Sequence, residues 1–483
     1  MSIIIRNNLL LFLTSILYLF SISYFLAEDK LILLSIPLLL CIVILSLFNY
    51  KYLFFLVVIL TPFSVSLADL GLFLSDVEMA FPTEPILFGF MILILFLIAY
   101  QLNTFRSIFR HPITLCILMY LFWIFITSIT STSPIVSFKF LLTRLWYIIP
   151  IFFLGITIFQ NKNNIFYFVL FYVVPLSIVI IYTSIKHAGF LFDKESAHYM
   201  MSPFFNDHTS YGAIIAFFLP LTVGVCWIKK NNILLRFFLF SIIIILIIGL
   251  VLSFTRAAWI SLFISIIIGL MIRFKINRKF LFISPLIILI VFIFFQTSIL
   301  TLLESNRQDS SDNLIEHVTS ISNISTDASN MERINRWKCA LKMFLEKPFF
   351  GWGPGTYQFE YARFQLYNDR TIISSNSGDM GNAHSEYLGA LSESGILGLI
   401  TLCVLVLVSV ISAINMYYSS RCSQQRTLLL SIVISLISYF IHGFFNNFLD
   451  TDKASVAIWA VFAMLVAIDL VNDKKQSNSI SFR

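Results

Sequence analysis

Hydrophobic positions in this chain recur neither every second residue nor on one helical stripe. They run almost unbroken for about 17–25 residues at a time, the length a helix needs to cross the hydrocarbon core of a bilayer. Such runs lie near 9–27, 31–48, 52–68, 85–101, 112–129, 145–159, 165–184, 209–228, 237–253, 257–273, 280–298, 396–414, 427–445 and 454–471. They predict an all-α polytopic membrane protein with about 12–14 transmembrane helices, interrupted by one long polar stretch at 304–395. The first run follows Arg6 and is too long for the apolar segment of a signal peptide. Phe25-Leu26-Ala27 also lacks a small residue at the first usual cleavage position, so the run reads as a span.

Composition supports this class. Hydrophobic residues make up 59% of the 483, charged residues 12%, and the mean hydropathy is +0.90. Soluble domains carry about 25% charged residues, and with half that supply the chain could not cover its own core with polar surface. The net charge of +7 matters less than its distribution. With the N-terminus inside, alternate loops hold Arg6; Lys51; Arg106 and Arg110; Lys162; Lys229, Lys230 and Arg236; Arg273, Lys275, Arg278 and Lys279; then Arg421 and Arg426; then Lys474 and Lys475. The intervening loop around Asp69, Asp76, Glu78 and Glu84 has no Lys or Arg. Basic residues concentrate in short cytoplasmic loops. The pattern therefore predicts cytoplasmic termini and an extracytoplasmic 304–395 loop.

The chemistry available is narrow. Cys41, Cys116, Cys226 and Cys403 fall in spans and Cys422 in a cytoplasmic loop, which leaves Cys339 alone on the outer side and predicts no intramolecular disulfide. No cysteine or histidine spacing suggests a metal site, and no Gly-rich phosphate loop is present. The spans are nearly bare of charge: Arg144, Arg256 and His442 stand at outer ends and Asp469 near an inner one. A proton-coupled transporter would bury acidic residues or histidines near the midplane, so the pattern argues against transport.

Three outer segments carry the polar chemistry. Ser253-Phe254-Thr255-Arg256 is a tight turn between two apolar runs, and it holds Arg256 at the interface, where an arginine can equally well snorkel to lipid phosphates. Asn330 offers an N-cap to a helix over 331–345, with Glu332 in its first turn. Ile334, Trp337, Leu341, Phe344 and Leu345 form its apolar stripe, and Arg333 and Arg336 share a face beside Trp337. The plain reading is an interfacial amphipathic helix; the functional one is a pair of guanidinium forks for a diphosphate. Pro348 ends that helix, and Gly351-Trp352-Gly353-Pro354-Gly355 follows. The third segment, Asn382-Ala383-His384-Ser385-Glu386-Tyr387-Leu388, leads through Glu393-Ser394-Gly395 into the next span. The stretch Ser305–Asn330, rich in Ser, Asn and Asp, predicts an unstructured segment.

In order and spacing these segments resemble the O-antigen ligase and polymerase family of bacterial glycosyltransferases. That family shows a Ser-x-x-Arg-like turn, Arg-x-x-x-Trp entering an amphipathic helix, Pro before Gly-x-Gly-x-Gly, and His-Asn-x-Tyr-Leu before Glu-x-Gly-x-x-Gly. The corresponding residues are Ser253 and Arg256; Arg333 and Trp337; Pro348, Gly351, Gly353 and Gly355; and His384, Tyr387, Leu388, Glu393, Gly395 and Gly398. Ser385 stands where the family has Asn. The likeness covers 205–445, with Asn206 and His208 at its opening. It implies N-terminal spans over 1–204, a core over 205–445 that includes the 304–395 loop, and a last span and tail over 446–483.

The resemblance further implies transfer of a glycan from undecaprenyl diphosphate to an acceptor, either another glycan or lipid A–core, with no cofactor, metal or nucleic acid required. His384, Arg256 and Arg333 would be catalytic, and Arg336, Trp337, Glu386 and Tyr387 would bind substrate. The alternatives are a flippase for lipid-linked oligosaccharide and a protein O-oligosaccharyltransferase. The chain ends soon after its last span, unlike many members of the protein-modifying branch.

Overall fold

The computed structural model describes residues 50–67, 69, 79–229, 232–276, 332–366 and 381–481, without side-chain detail at 103, 104 and 474–481. The spans expected at 9–27, 31–48 and 280–298, the stretch Ser305–Asn330 and the Asn330 cap lie outside them. The chain divides into residues 1–57, helical where described, and 58–483.

Ten of the described helices are long and apolar enough to cross a membrane. We label them α1 (Thr83–Tyr100), α2 (Pro112–Ile129), α3 (Pro134–Phe159), α4 (Lys162–Ala188), α5 (His208–Ile228), α6 (Ile233–Leu252), α7 (Arg256–Arg273), α9 (Glu386–Ser419), α10 (Ser423–His442) and α11 (Asp452–Asp473, continuing as helix to Ser481), with α8 the loop helix over 332–346. Each corresponds to an apolar run in the sequence. The run near 52–68 is a shorter apolar helix, Tyr50–Phe63. Among described residues the strands are limited to Val65–Ser66 paired antiparallel with Ala80–Phe81, so the protein is an all-α polytopic membrane protein.

Helix burial follows composition. α11 is apolar all round and is buried on every side from Ala454 to Ile468, as an all-hydrophobic helix in a bundle centre must be. α1, α6 and α7 expose large apolar side chains outward, including Phe96 (73% exposed), Phe237 (66%) and Phe263 (65%). In water such a surface would associate; against lipid tails it costs nothing.

Two helices extend further than their apolar runs. α3 begins at Pro134, so Arg144 stands well inside the helix and not at its outer end as the apolar run suggested. Ser137, Lys139 and Thr143 dilute the hydropathy there, and Pro134 in the first turn starts the helix all the same. α9 likewise begins at Glu386, capped by the Ser385 side chain, which places Glu386 and Glu393 inside it.

Successive loops alternate between two ends. At one end the His111 ring meets Asp469 (3.1 Å), Lys162 donates to Gln425 (3.1 Å), and the Tyr418 hydroxyl donates to the Ile272 carbonyl (3.0 Å). At the other end the 351–355 segment docks on the N-terminal helices, with Thr132 donating to the Trp352 carbonyl (2.9 Å) and Ser137 to that of Pro354 (2.8 Å).

α9 breaks at Gly395, where the backbone takes a positive φ of 69°. A broken membrane helix leaves amides and carbonyls without intrahelical partners, and the Gly-rich loop supplies them. Trp352 N–H donates to the Ser392 carbonyl (3.1 Å), Gly353 N–H to that of Glu393 (2.8 Å), and Ile396 N–H to that of Pro348 (2.9 Å). Trp123 of α2 donates to the Ser394 carbonyl (2.8 Å). Gly351 also has φ +69°, and a Cβ there would run into the Glu393 carbonyl. Gly351→Ala is therefore expected to cost about 1–3 kcal/mol in backbone strain alone. A lowered thermal midpoint of the purified protein checks this, and an unchanged midpoint contradicts the docking.

Candidate functional site

The described part of the 304–395 loop builds its own small core. Cys339, Ala340 and Met343 of α8 pack on Trp352, Tyr357, Tyr361 and Ala383, and the rings of Tyr357 and Tyr361 stack at 5.3 Å. The buried face of α8 is thus its small-residue face. Leu341 and Leu345, on the apolar stripe that the sequence suggested for an interfacial helix, are 45% and 74% exposed. Small side chains allow close approach to the flat rings, so the bulkier stripe turns outward, beside the exposed Phe349 and Phe350, as an interfacial helix requires.

That core orients α8 and the 381–386 segment. Arg336 is buried and spends its donors inside the protein: Nε to Glu332 (2.9 Å), Nη1 to the Asn382 carbonyl (3.3 Å), with the guanidinium 4.8 Å over the Tyr361 ring. Trp337 Nε1 donates to the His384 carbonyl (3.3 Å), while His384 N–H donates to Asn382 Oδ1 (3.0 Å). His384 is thereby held at φ +47°, an uncommon conformation for a side-chain-bearing residue, and such strain concentrates at functional sites. Its imidazole is half-buried and makes no hydrogen bond to a described residue.

Glu386 and Tyr387, next in the chain, are occupied structurally. Glu386 Oε1 accepts from the Tyr439 hydroxyl (2.9 Å) and from Phe448 and Leu449 N–H (2.8 and 2.9 Å), and Glu386 N–H donates to the Gly443 carbonyl (2.8 Å). The Tyr387 hydroxyl donates to the Phe440 carbonyl (2.9 Å), and its ring stacks on Phe444 at 4.3 Å. Together they tie α9 to the end of α10.

Arg256 and Arg333 differ from Arg336. Arg256 is exposed at the first turn of α7 and has no hydrogen-bond or ion-pair partner among described residues. Its turn is fixed from behind: Thr255 Oγ1 donates to the His208 carbonyl (2.8 Å) and Trp259 Nε1 to that of Leu250 (2.8 Å). Arg333 is half-buried and makes no hydrogen bond to a described residue. Burial lowers its guanidinium pKa, and the Asp207 carboxylate opposes that shift.

Electrostatics shows these segments converging. The Arg333 charge reaches His208, His384 and His442, on the start of α5, the 381–386 segment and the end of α10. Burial first, then the Arg336 and Arg333 charges, push the His384 imidazole down to about 4, with Asp207 and Glu332 pulling the other way. Around neutral pH His384 is a neutral acceptor set beside a positive field.

Several groups joined this end without having been singled out by sequence as site residues. Asp207 caps α5, accepting from Ser210 N–H (2.6 Å) and the Thr209 hydroxyl (2.7 Å), and is the anion facing Arg333. His442 is buried with both ring nitrogens unpartnered among described residues, and His198 packs edge-on to His208 at 4.0 Å. Arg144 pairs with Asp450 across the 447–450 turn. Asp207-His208 opening an apolar run was the available signal for the first; the others depend on contacts distant in sequence.

Two guanidinium groups unpaired among described residues and a neutral imidazole at one membrane end can bind a polyanion and accept a proton. Residues 241–403 match the family model described as O-antigen ligase, an interval that includes Arg256, Arg333, Arg336, Trp337, His384, Glu386 and Tyr387. No curated protein matches the chain. With ten candidate spans among its described residues, the protein thus carries a segment similar to the O-antigen ligase family.

Proposed function

We propose that this protein is a glycosyltransferase that moves a glycan from undecaprenyl diphosphate to a sugar hydroxyl on the extracytoplasmic face of the bacterial cytoplasmic membrane. The observation that carries the reading is the contrast among the arginines. Arg144 and Arg336 are paired within the protein, whereas Arg256 and Arg333 make no hydrogen bond or ion pair to a described residue, and the Arg333 charge acts on His384. Arg333 is half-buried, and the Asp207 charge offsets part of that cost; a bound anion would offset more.

In this reading the acceptor hydroxyl attacks the anomeric carbon and gives its proton to His384. The bond from that carbon to the diphosphate oxygen breaks, and undecaprenyl diphosphate leaves as an anion against Arg256 and Arg333. The sugar–diphosphate bond is already activated, so the step needs neither nucleotide nor metal. Arg336 and Trp337 act by holding the His384 segment; Glu386 and Tyr387 hold α9 to α10. The ends carrying Arg106, Arg110, Lys162, Arg273 and Arg421 lie on the cytoplasmic side.

The test is transfer by purified protein in proteoliposomes holding undecaprenyl-diphosphate-linked glycan. Extension of a second lipid-linked repeat indicates a polymerase, and modification of lipid A–core a ligase. A product with inverted anomeric configuration supports direct displacement, and a retained configuration contradicts it. Glycan crossing the bilayer without any transfer would put a flippase in place of the transferase.

A further inference from the structure

A narrow cleft opens at the break in α9, with about 50 Å³ of space at its floor. Ser385 and Glu386 line it, but His384, Arg333 and Arg256 do not, so it adjoins the cluster described above without being part of it. Its polar wall is built from Arg144, Glu393, Asn447 and Asp450, its apolar wall from Tyr120 and Phe140.

These groups retain binding capacity. The Arg144 side chain is 4% exposed and donates to the Leu449 carbonyl and the Asp450 carboxylate, yet its Nε has no partner among described residues. Asn447 Oδ1 is buried and equally unpartnered. Asp450, by contrast, is 47% exposed and marks an open side of the cleft. At Gly389 an added Cβ would meet nothing closer than Ala383 at 4.0 Å, so this wall is made of small residues and not of packed side chains.

The lining selects a ligand class. Three carboxylates, those of Glu386, Glu393 and Asp450, disfavour an anion, and the Arg144 guanidinium disfavours a simple cation. No described group of carboxylates, histidines or cysteines here is disposed to hold a metal ion. A polyprenyl tail would leave Arg144 Nε and Asn447 Oδ1 desolvated without hydrogen bonds. The hydroxyl edge of a neutral saccharide suits this lining: hydroxyls both donate and accept, and an apolar ring face suits Phe140 and Tyr120.

We infer that this cleft takes a hydroxyl edge of the acceptor sugar, the rest of which lies outside it, and orients the attacking hydroxyl past Ser385 toward His384. The inference rests on the transferase reading and gives the acceptor a place distinct from the donor's diphosphate, which belongs to Arg256 and Arg333. Arg144 and Asn447 then set specificity without touching the reacting atoms.

The experiment uses the full-length protein in nanodiscs, with donor and acceptor saccharide concentrations varied separately. Ala390→Leu fills the cleft from α9 while leaving Arg144 and Asp450 in place, and Asn447→Ala removes one unsatisfied acceptor with no added bulk. Ala390→Leu is expected to raise the acceptor KM by about tenfold or more with the donor KM unchanged, and Asn447→Ala to raise the acceptor KM by a smaller factor. An unchanged acceptor KM in both variants, or a raised donor KM instead, overturns the inference while wild-type transfer keeps the functional reading intact. Should Ala390→Leu fail to fold, Asn447→Ala decides alone. If the wild-type protein transfers no glycan, the functional reading itself falls and this inference with it.

Discussion

Replacing His384 with alanine is expected to lower glycan transfer by about 10²–10⁴-fold, the range lost when a positioned acid–base group is removed. The membrane helices should be unaffected, because the imidazole makes no hydrogen bond to a described residue and the segment is held by its backbone, through Asn382 and Trp337. The pH profile adds an independent readout. The neutral imidazole is the competent form, and burial with two nearby arginines lowers its pKa to about 4. The acidic limb of kcat/KM, which reports the free enzyme, should therefore fall only as pH drops through about 4, not near the usual value of about 6.5. Bound diphosphate would offset the Arg336 and Arg333 charges, so the limb of kcat should lie at higher pH than that of kcat/KM. Full activity in His384→Ala would remove this residue from the chemistry, and limbs coinciding near 6.5 would contradict the electrostatic account.

Arg333→Ala should cost about 10²–10³-fold in transfer, as expected for one preorganised donor aimed at developing charge. Arg333→Lys restores the charge but not the planar fork, and should recover only part of the loss. A second consequence separates chemistry from folding. Arg333 is one of the charges that depress His384, so in Arg333→Ala the acidic limb of kcat/KM should move to higher pH. A purely structural arginine would lower the thermal midpoint and leave that limb in place. Arg256→Ala should reduce transfer in the same direction with little change in stability, since Arg256 is exposed and has no partner among described residues.

How the site could be read from sequence depended on the range of each interaction. The turn at Ser253–Arg256, the helix carrying Arg333 and the segment at His384 were legible because each is a short polar interruption in a chain that is otherwise apolar. The division of labour between Arg333 and Arg336 was not. Both lie on one helix near Trp337, and only the packing of α8 on Tyr361 and Asn382 shows that Arg336 is spent within the protein. That Glu386 and Tyr387 also bond to α10 could not be read from their place beside His384. Arg144 and Asp450, far apart in the chain, form a pair that no local pattern could join.

The sequence by itself determined that this is a membrane protein, where its described spans lie, and which segments carry its polar chemistry. Uninterrupted hydropathy and special turn residues are local properties, and a bilayer enforces them strictly because backbone groups in lipid must be satisfied by a helix. Tertiary structure alone decided that α9 breaks at Gly395 and is repaired by the 348–353 loop, which face of α8 is buried, and which arginines are paired within the protein. Those outcomes depend on partners supplied from distant parts of the chain, and a hydrogen bond is consumed or left open only once both ends have been brought together.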